Sequence, residues 1–446
     1  MSNDREKKGS FIALLPLIIF VFLFIGTGVI TKDFSNMPLN VAVIIASAVA
    51  LMMNRKARLI NKIEIFTKGA GHPNIILMAI IFILAGAFSS VASEMGAVES
   101  TVNLGLSFLP ENLLMVGLFV IACFISISMG TSMGTVVALA PIGVGIAAQT
   151  DIPVALAMGT VIGGAMFGDN LSMISDTTIA AVRTQQTKMK DKFKVNFLIV
   201  LPGAILTTII LGVITPDNQA AIGGSYDYEI MKVIPYLAVL VTALIGINVL
   251  IVLIGGTIFA GIIGMVDGSY NLNGFLQTVS EGVISMEDLA LVAILIGGIV
   301  GVIQHNGGID YLLNFIRSRI KTKKGAAFGI AGLVSAADIA TANNTISIIM
   351  TGPLAKNIAD EYEIDPRKSA SLLDIFAGCW QGIVPYGGQM LAAAGLASIS
   401  PVSIIPYSFY PILLGISGIV AILIGYPKFQ MTREEVVKEK VISKSS

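Results

Sequence analysis

The sequence is poor in charged residues and in cysteine, and these shortages exclude several classes of protein. Charged residues make up 13% of the 446, against about 25% in ordinary soluble domains. The two cysteines, Cys123 and Cys379, lie in separate apolar stretches without CxxC spacing, which excludes a disulfide framework and a zinc cluster. Lys plus Arg and Asp plus Glu are both 28, so no basic surplus indicates a nucleic-acid partner.

Hydrophobic residues are what the chain has in excess. They make up 55% of it and give a mean hydropathy of +0.85. A membrane-spanning helix needs roughly 20 apolar residues, so the chain has room for about ten crossings. We therefore predict an all-α polytopic membrane protein with about ten to twelve transmembrane segments, some of them broken or re-entrant, and with the lipid bilayer as a partner.

The apolar runs predict one transmembrane domain, residues 1–427, followed by a charged tail, 428–446, that is solvated and cytoplasmic. The first run, residues 11–30, is too long for a signal-peptide core, so we expect it to be retained as a helix. The run at 234–266 is too long for one crossing and has Asn248 near its middle. This run is expected to form two helices.

Charge predicts the orientation in the cell membrane. Basic residues cluster in the short segments 54–69, 183–194 and 317–324, and Lys192 is one of the charges that we assign to a loop. The segments between these clusters are acidic. Because Lys and Arg stay on the cytoplasmic side during insertion, the alternation predicts that both termini are cytoplasmic.

Two regions, 128–182 and 326–400, hold Gly, Pro, Ser, Thr, Asn and Asp at membrane depth. An unsatisfied polar group there costs several kcal/mol unless it faces protein or water, so such segments usually line a cavity. The stretch SMGTSMGT, residues 128–135, is equally compatible with cavity lining and with close helix packing through small residues.

The polar stretches have matched spacing in the two halves. One stretch ends at Pro141 and the next begins 27 residues later at Gly168; the same distance separates Pro353 from Trp380. This pattern is typical of a transporter built from repeats, with its site at the repeat interface. The expected halves are residues 74–215 and 287–425. By analogy we favour inverted repeats, although charge does not decide this.

The first polar region carries the candidate ion site. Asp169 and Asp176 are seven residues apart, about two helical turns, so they share one face if the backbone stays helical. Oxygen ligands hold hard cations such as Na+, and a buried carboxylate can alternatively carry a proton. The candidate ligands are Asp169, Asn170, Ser172, Ser175, Asp176, Thr177 and Thr178, with Na+ at the two aspartates. The alternative is that these aspartates cap broken helices.

The second polar region carries the candidate solute site. Amides and hydroxyls bond a polar solute, and the N-termini of broken helices favour a carboxylate on it. The candidates are Thr131 of the first region and Asp338, Thr341, Asn343, Asn344, Thr345, Asp374, Gln381, Tyr386 and Gln389 of the second. The alternative is that these amides and hydroxyls join helices to one another.

Other mechanisms find less support in the sequence. No Walker A motif is present, so ATP is not the evident energy source, and we expect no cofactor beyond Na+ or H+ as the coupling ion. Asp169 and Asp176 could pair as in an aspartyl hydrolase, but such an enzyme does not require the second polar region. A channel would show a carbonyl filter or symmetric pore-lining segments, and neither is visible.

The sequence GDNLSMISDTT, residues 168–178, resembles the pattern GDxxSPxSDTT of the NhaC-type Na+/H+ antiporter family in the ion transporter superfamily. The likeness extends over most of the chain and implies a two-repeat secondary transporter, with hairpins that meet at mid-membrane. Asn170 stands where antiporters commonly have Lys, and Met173 where they have Pro. The second half, with TANNTISIIMTGP and VPYGGQM, resembles a branch assigned as amino-acid permeases.

The sequence thus predicts a secondary active transporter, not an enzyme. In the preferred scheme, Na+ or H+ is coupled to the movement of a small amino-acid-like solute. The alternative is Na+/H+ antiport without an organic solute. An antiporter needs only titratable oxygen ligands, whereas a permease also needs a pocket of solute size. We allow for a homodimer.

Overall fold

The computed structural model of the protein describes most of the chain. The described residues are 9–27, 30, 37–54, 57–108, 111–173, 175–215, 227–245 and 247–427. The tail predicted at 428–446 lies outside them. Throughout the described residues the regular elements are helices and no β-strand is present, which confirms the all-α class.

The first half of the described chain is a series of helices with short connections. These are α1 (Leu15–Val21), α2 (Leu39–Met52), α3 (Leu59–Ala70), α4 (Pro73–Glu94), α5 (Ala97–Phe108), α6 (Glu111–Met129), α7 (Ser132–Gln149), α8 (Val154–Leu171), α9 (Asp176–Thr184) and α10 (Met189–Ile214). A 3-10 turn, Phe11–Leu14, precedes α1, and a π-helical turn, Phe22–Gly26, follows it. Pro73 begins α4, where the missing N–H of proline costs nothing.

The second half is built in the same way. Its helices are α11 (Ile230–Leu244), α12 (Val249–Asp267), α13 (Leu272–Ser285), α14 (Glu287–His305), α15 (Gly308–Arg317), α16 (Lys323–Thr341), α17 (Asn344–Glu361), α18 (Pro366–Gln381), α19 (Gly388–Leu396), α20 (Pro401–Ile404) and α21 (Phe409–Leu423). Asn248 caps α12 by accepting a hydrogen bond from the backbone N–H of Leu250. The expected separation of the run at 234–266 into two helices is confirmed.

The helices of the two halves recur at one offset along the chain. Both ends of α6 and α16 are 212 residues apart, and the same holds for α7 and α17 and for α9 and α19. At this offset each helix from α1 to α9 overlaps the helix ten places later. The overlap begins well before residues 74 and 287, where we expect the halves to start, and those boundaries stay a prediction.

The short helix of each half, α9 or α19, packs against helices of the other half at the centre of the molecule. Helix α9 packs against α17 and α18, and α19 packs against α7 and α8. At the end of α9, Gln185 donates to the carbonyl of Gly352 at 2.8 Å and accepts from the hydroxyl of Ser369 at 2.7 Å. This reciprocal packing brings the polar regions of both halves to one interface.

Apolar surface covers the outside of the bundle. On α10, Ile205, Ile209 and Val213 are exposed at four-residue spacing, whereas Thr207 and Leu211 are buried on the opposite face. A stripe of this kind suits contact with lipid, because the hydrocarbon solvates aliphatic side chains as well as a protein core does.

Six helices among the described residues are long and apolar enough to cross a membrane. A bent pair, Gly388–Leu396 and Pro401–Tyr407, turns by 99° and would make a seventh span. Shorter apolar helices accompany them: Phe11–Phe24, Leu39–Met52, Asn112–Ile127, Ile230–Val239 and Phe409–Leu423. The polytopic architecture with broken helices is therefore confirmed. The predicted number of ten to twelve segments counts the short and broken helices together with the long ones.

Candidate functional site

The first half interrupts its helices at two neighbouring places. Gly130, with φ +67°, separates α6 from α7, and Thr131 caps α7 by accepting from the N–H of Gly134 at 3.4 Å. Helix α8 ends before Ser172, and α9 begins at Asp176. The condition under which Asp169 and Asp176 would share one helical face is therefore not met, because residues 172, 173 and 175 between them are not helical.

The second half has its interruptions at the matching positions. Ala342, with φ +51°, separates α16 from α17, and Asn343 caps α17 by accepting from the N–H of Ile346 at 2.9 Å. Helix α18 ends at Gln381 and α19 begins at Gly388. Asn343 thus has the capping role that its residue type favours.

A cavity of about 110 Å³ lies where these interruptions meet. Its lining is Asn74, Leu77, Met78, Ile81, Thr131, Ser132, Met133, Asp169, Asp176, Asn343, Asn344, Thr345, Gln381 and Gln389. The first residues of α7, α9 and α17 and the second residue of α19 are among these, so several helix N-termini contribute partial positive charge. The carboxylates of Asp169 and Asp176 lie in the same lining, and both halves contribute polar side chains to it.

Asp169 is 3% exposed and is held by hydroxyl groups. The hydroxyl of Ser132 donates to Oδ2 at 2.8 Å, and that of Ser175 donates to Oδ1 at 2.5 Å. Ser175 and Thr177 lie 2.8 Å apart through their hydroxyl oxygens. Such donors stabilise a carboxylate without neutralising it, so the site keeps its affinity for a cation.

Asp176 is exposed and makes one of the contacts between the two halves at the cavity. The hydroxyl of Thr345, in the first turn of α17, donates to its Oδ2 at 2.6 Å. Asp176 and Asp169 line the same cavity. Because like charges repel, two ionised carboxylates on one cavity favour the uptake of a cation between them.

A chain of side-chain hydrogen bonds joins the second half to Asp169. The amide of Gln381 donates to Oε1 of Gln389 at 2.6 Å, and the amide of Gln389 donates to the hydroxyl of Ser132 at 3.0 Å. Ser132 in turn donates to Asp169. Oε1 of Gln381 is buried and has no hydrogen-bond partner among the described residues. The relay therefore ends in a free acceptor at the cavity.

A second buried polar cluster lies behind the break between α8 and α9. The ammonium of Lys192 forms an ion pair with Asp374 and donates to the carbonyl of Asn170 at 2.8 Å and to the hydroxyl of Thr178 at 2.9 Å. Asn196 donates to the same Asn170 carbonyl at 2.7 Å. The cluster fixes the backbone on both sides of the break, since Asn170 follows Asp169 and Thr178 lies in the first turn of α9.

The assignment of Lys192 to a cytoplasmic loop is wrong. Helix α10 begins at Met189, and Lys192 is 0% exposed within it. A basic segment of sequence does not show which of its lysines is buried. The ion pair with Asp374 offsets the cost of removing the Lys192 ammonium from water. Lys192 also brings an ammonium to Asn170, the position where the resemblance implies a lysine.

The cavity gathers candidate residues from both halves. Those that line it are Thr131, Asp169, Asp176, Asn343, Asn344, Thr345, Gln381 and Gln389. Those that lie outside its lining are Asn170, Ser172, Ser175, Thr177, Thr178, Asp338, Thr341, Asp374 and Tyr386. Of these, Asp374 is paired with Lys192, and Tyr386 donates to the carbonyl of Ile339 at 2.7 Å. The assignment of each residue to ion or solute binding stays a prediction.

Sequence reasoning missed several residues of the site. Ser132 was hidden in the stretch of small residues at 128–135, where packing was an equal alternative. Asn74 looked like a helix boundary, yet it lines the cavity together with Leu77, Met78 and Ile81. These four positions recur at helical spacing on one face of α4, which is the signal that could have found them.

The chain matches the profile of the Na+/H+ antiporter family over residues 9–215 and 227–429. It belongs to this family. Family membership confirms the resemblance read from residues 168–178. The members it matches are membrane antiporters, so the protein is a membrane transporter and not an enzyme, with Na+ or H+ as the coupling ion.

Three curated relatives show what the family includes. The chain is 26% identical to the Na(+)/H(+) antiporter NhaC of Bacillus subtilis, over 95% of its own length and 100% of the relative's. It is 22% identical to the malate-2H(+)/Na(+)-lactate antiporter of the same organism, over 93% and 94%. It is 24% identical to the arginine/ornithine antiporter ArcD of Halobacterium salinarum, over 96% and 94%. Antiport is common to these names, whereas the solutes differ.

Proposed function

We propose that the protein couples Na+ or H+, bound at Asp169 and Asp176, to the movement of a small amino-acid-like solute. The observation that carries this proposal is the composition of the cavity, in which carboxylates of the first half face amides of the second. Amides and helix N-termini suit the carboxylate of such a solute, and the aspartates suit an ammonium or a metal cation.

Charge explains how ion and solute are coupled. A solute carboxylate at the N-termini of α7 and α17 is attracted by their partial charge but repelled by Asp169 and Asp176. A cation or proton at the aspartates removes that repulsion. Each ligand therefore binds more tightly in the presence of the other, by the same factor in both directions.

The named solutes of the relatives support a carboxylate-bearing substrate. Malate, lactate, arginine and ornithine all carry a carboxylate, and they appear in the names of relatives that align over more than nine-tenths of this chain. A cavity of about 110 Å³ is small beside the roughly 300–1,000 Å³ of pockets for drug-sized ligands, which favours a solute of few atoms.

The second candidate is Na+/H+ antiport without an organic solute. The small cavity favours it, because an ion with its waters fits there as well as a small solute does. In this scheme Na+ and H+ compete for Asp169 and Asp176, and Asn343 and Asn344 serve only to cap and pack α17.

The experiment uses purified protein in liposomes with an imposed Na+ gradient. Lumenal pH and amino-acid uptake are recorded while single amino acids are added to one side. The proposal predicts that one compound accumulates inside and that its uptake depends on the Na+ or pH gradient. Proton movement driven by Na+ alone, unchanged by every amino acid, would establish the antiporter and reject the solute.

A substitution at one of the amide side chains that line the cavity sharpens this test. Asn344 is buried at the cavity, and among the described residues its side chain accepts one hydrogen bond, from the N–H of Thr345. Asn344→Leu keeps a similar volume but removes the amide donors. We expect it to lose solute-dependent transport while Na+ still binds. Thr351→Val, in the same helix but away from the cavity, is the matched control.

The location and orientation are part of the same proposal. We place the protein in the cell membrane with both termini in the cytoplasm, and the basic segments 54–69, 183–194 and 317–324 support this orientation. The burial of Lys192 removes one charge from the second segment but leaves Lys188 and Lys190 there. A homodimer stays a prediction.

A further inference from the structure

Asp338 is a buried carboxyl group to which the proposed mechanism gives no role. It lies in the last turn of α16, it is 0% exposed, and it does not line the cavity. Within the described part of the chain, its Oδ2 has no hydrogen-bond partner. Its Oδ1 has one contact, with the hydroxyl of Ser347 at 3.2 Å.

The surroundings of Asp338 offer no cation. Among the described residues no Lys, Arg or His forms an ion pair with it. The titratable groups that sense its charge are Cys379 of α18 and Tyr386 after that helix, neither of which is cationic. From α17 only Ser347 acts on it, and from α14, α15 and α21, which also pack on α16, no charged side chain of the described chain does.

Comparison with Asp374 shows how exceptional this is. Asp374 is as deeply buried, but it has the ammonium of Lys192 and further contacts from Thr178 and Asn196. An ionised carboxylate with no cation and one weak donor is far too costly in a protein interior, and such a group takes up a proton instead. Asp338 is therefore neutral as the structure stands.

The hydrogen bonds around Ser347 agree with a proton on Asp338. The hydroxyl of Ser347 has one proton and two acceptors in reach, the carbonyl of Asn344 at 2.8 Å and Asp338 at 3.2 Å, and the shorter distance favours the carbonyl. The contact between Asp338 and Ser347 then needs a proton from the carboxyl group. A protonated Asp338 donates to the oxygen of Ser347, and no buried negative charge remains.

We propose that Asp338 is a proton-binding site of the transporter, separate from the cation site at Asp169 and Asp176, and that its proton is exchanged during transport. The exchange during transport rests on the proposed function, but the presence of the proton does not. At the matching position of the first half stands Ser126, which donates to the carbonyl of Ala165 and cannot carry a charge. The proton site thus belongs to the second half alone.

The first turn of α17 connects this proton to the cation site. Loss of the proton would leave a buried charge that draws the hydroxyl of Ser347 away from the carbonyl of Asn344. That turn also holds Thr345, which donates to Asp176. Deprotonation at Asp338 would therefore disturb the contact that joins the two halves at the cavity, so proton and cation occupancy are linked.

The presence of the proton is tested without transport. Infrared difference spectra of the purified wild type and of Asp338→Asn are compared at neutral pH. We expect the carbonyl-stretch band of a protonated carboxylic acid in the wild type and its loss in the variant, while Ser347→Ala keeps the band at a shifted frequency. Spectra without such a band in the wild type, from variants that melt like it, would overturn the proposal.

The exchange of the proton is tested in liposomes. We expect Asp338→Asn to bind Na+, seen in the fluorescence of Trp380, the single tryptophan, but to lose proton movement coupled to the ion. An unchanged ratio of protons to ions moved would reject the role in transport. If the wild type itself moves neither Na+ nor solute, the proposed function fails, and the infrared result still decides whether Asp338 holds a proton.

Discussion

The two interrupted regions share a backbone plan but differ in their chemistry. At the offset of 212 residues, Asp169 of the first half matches Gln381 of the second, and Thr177 matches Gln389. The first half therefore presents carboxylates to the cavity, and the second half presents neutral amides. The repeat gives both halves the same backbone geometry at the central site. The different side chains in the two copies then place the negative charge in the first half alone.

The chemical difference between the two halves is expected to matter for binding. A site with the same side chains in both halves would bind ion and solute poorly, whether those side chains were carboxylates or amides. Carboxylates in both halves would repel one another in a low dielectric, and amides in both halves would leave no charge for a cation. The relay from Gln389 through Ser132 to Asp169 joins the two kinds of wall. The asymmetry thus separates the ion-binding role from the solute-binding role while keeping them in contact.

Removing the charge of Asp176 is expected to have the largest effect. Asp176→Asn keeps the size of the side chain but leaves Asp169 without the second carboxylate of the cation site, so transport should be abolished under both candidate functions. The residue is exposed at the cavity, and the fold should therefore be retained. Uptake in liposomes and the melting temperature in detergent measure the two outcomes.

The matched control is Asp360→Asn. Asp360 pairs with Lys356 on α17 and its side chain is 57% exposed, so this variant should transport normally. Near-normal transport by Asp176→Asn would reject the site assignment.

The second effect concerns the buried pair behind the first break. Lys192→Met leaves Asp374 uncompensated, and the free energy of unfolding should fall by about 3–5 kcal/mol. Adding Asp374→Leu removes the orphaned charge, so the double variant should recover most of that loss. Thermal and denaturant unfolding in detergent measure both variants. A single variant as stable as the wild type would show that Lys192 does not balance Asp374.

These residues also show how far the sequence could predict the site. Asp169, Asp176, Asn343 and Asn344 are recognisable because polar groups amid apolar runs are costly and need a reason. The sequence could not show that Asp374 has a buried cation, because Lys192 stands in a basic segment and its partner is 182 residues away.

The fold was easier to predict than the contacts within it. Run length and Gly or Asn at the boundaries predict most helices, and matched spacing predicts the pairing of the two polar regions. The sequence left open whether the helix continues from Asp169 to Asp176, since periodicity alone does not show where a helix with polar residues at its end will stop. The wall of α4 was missed for a related reason, because Asn74 lies at a helix start where Asn is common.

The contact between the halves predicts a smaller effect. Thr345→Val removes the hydroxyl that donates to Asp176 and leaves the shape unchanged. A hydrogen bond to a charged group contributes about 1.5–3 kcal/mol, so Na+ affinity should fall about tenfold or more. Titration of Trp380 fluorescence with Na+ measures the change. Thr351→Val, which loses only a bond to the carbonyl of Ser347, should bind like the wild type; equal affinities in both variants would show that the contact is incidental.

The smallest effect distinguishes the two halves at their turning points. Gly130 and Ala342 occupy matching positions in the left-handed region, which costs a residue with a Cβ about 1–2 kcal/mol but costs glycine little. Gly130→Ala should therefore lower the free energy of unfolding by about 1 kcal/mol, and Ala342→Gly should raise it by a similar amount. Unfolding in detergent measures both. If both substitutions shift stability in the same direction, packing around the turn outweighs backbone strain, and the two breaks are less alike than their dihedral angles indicate.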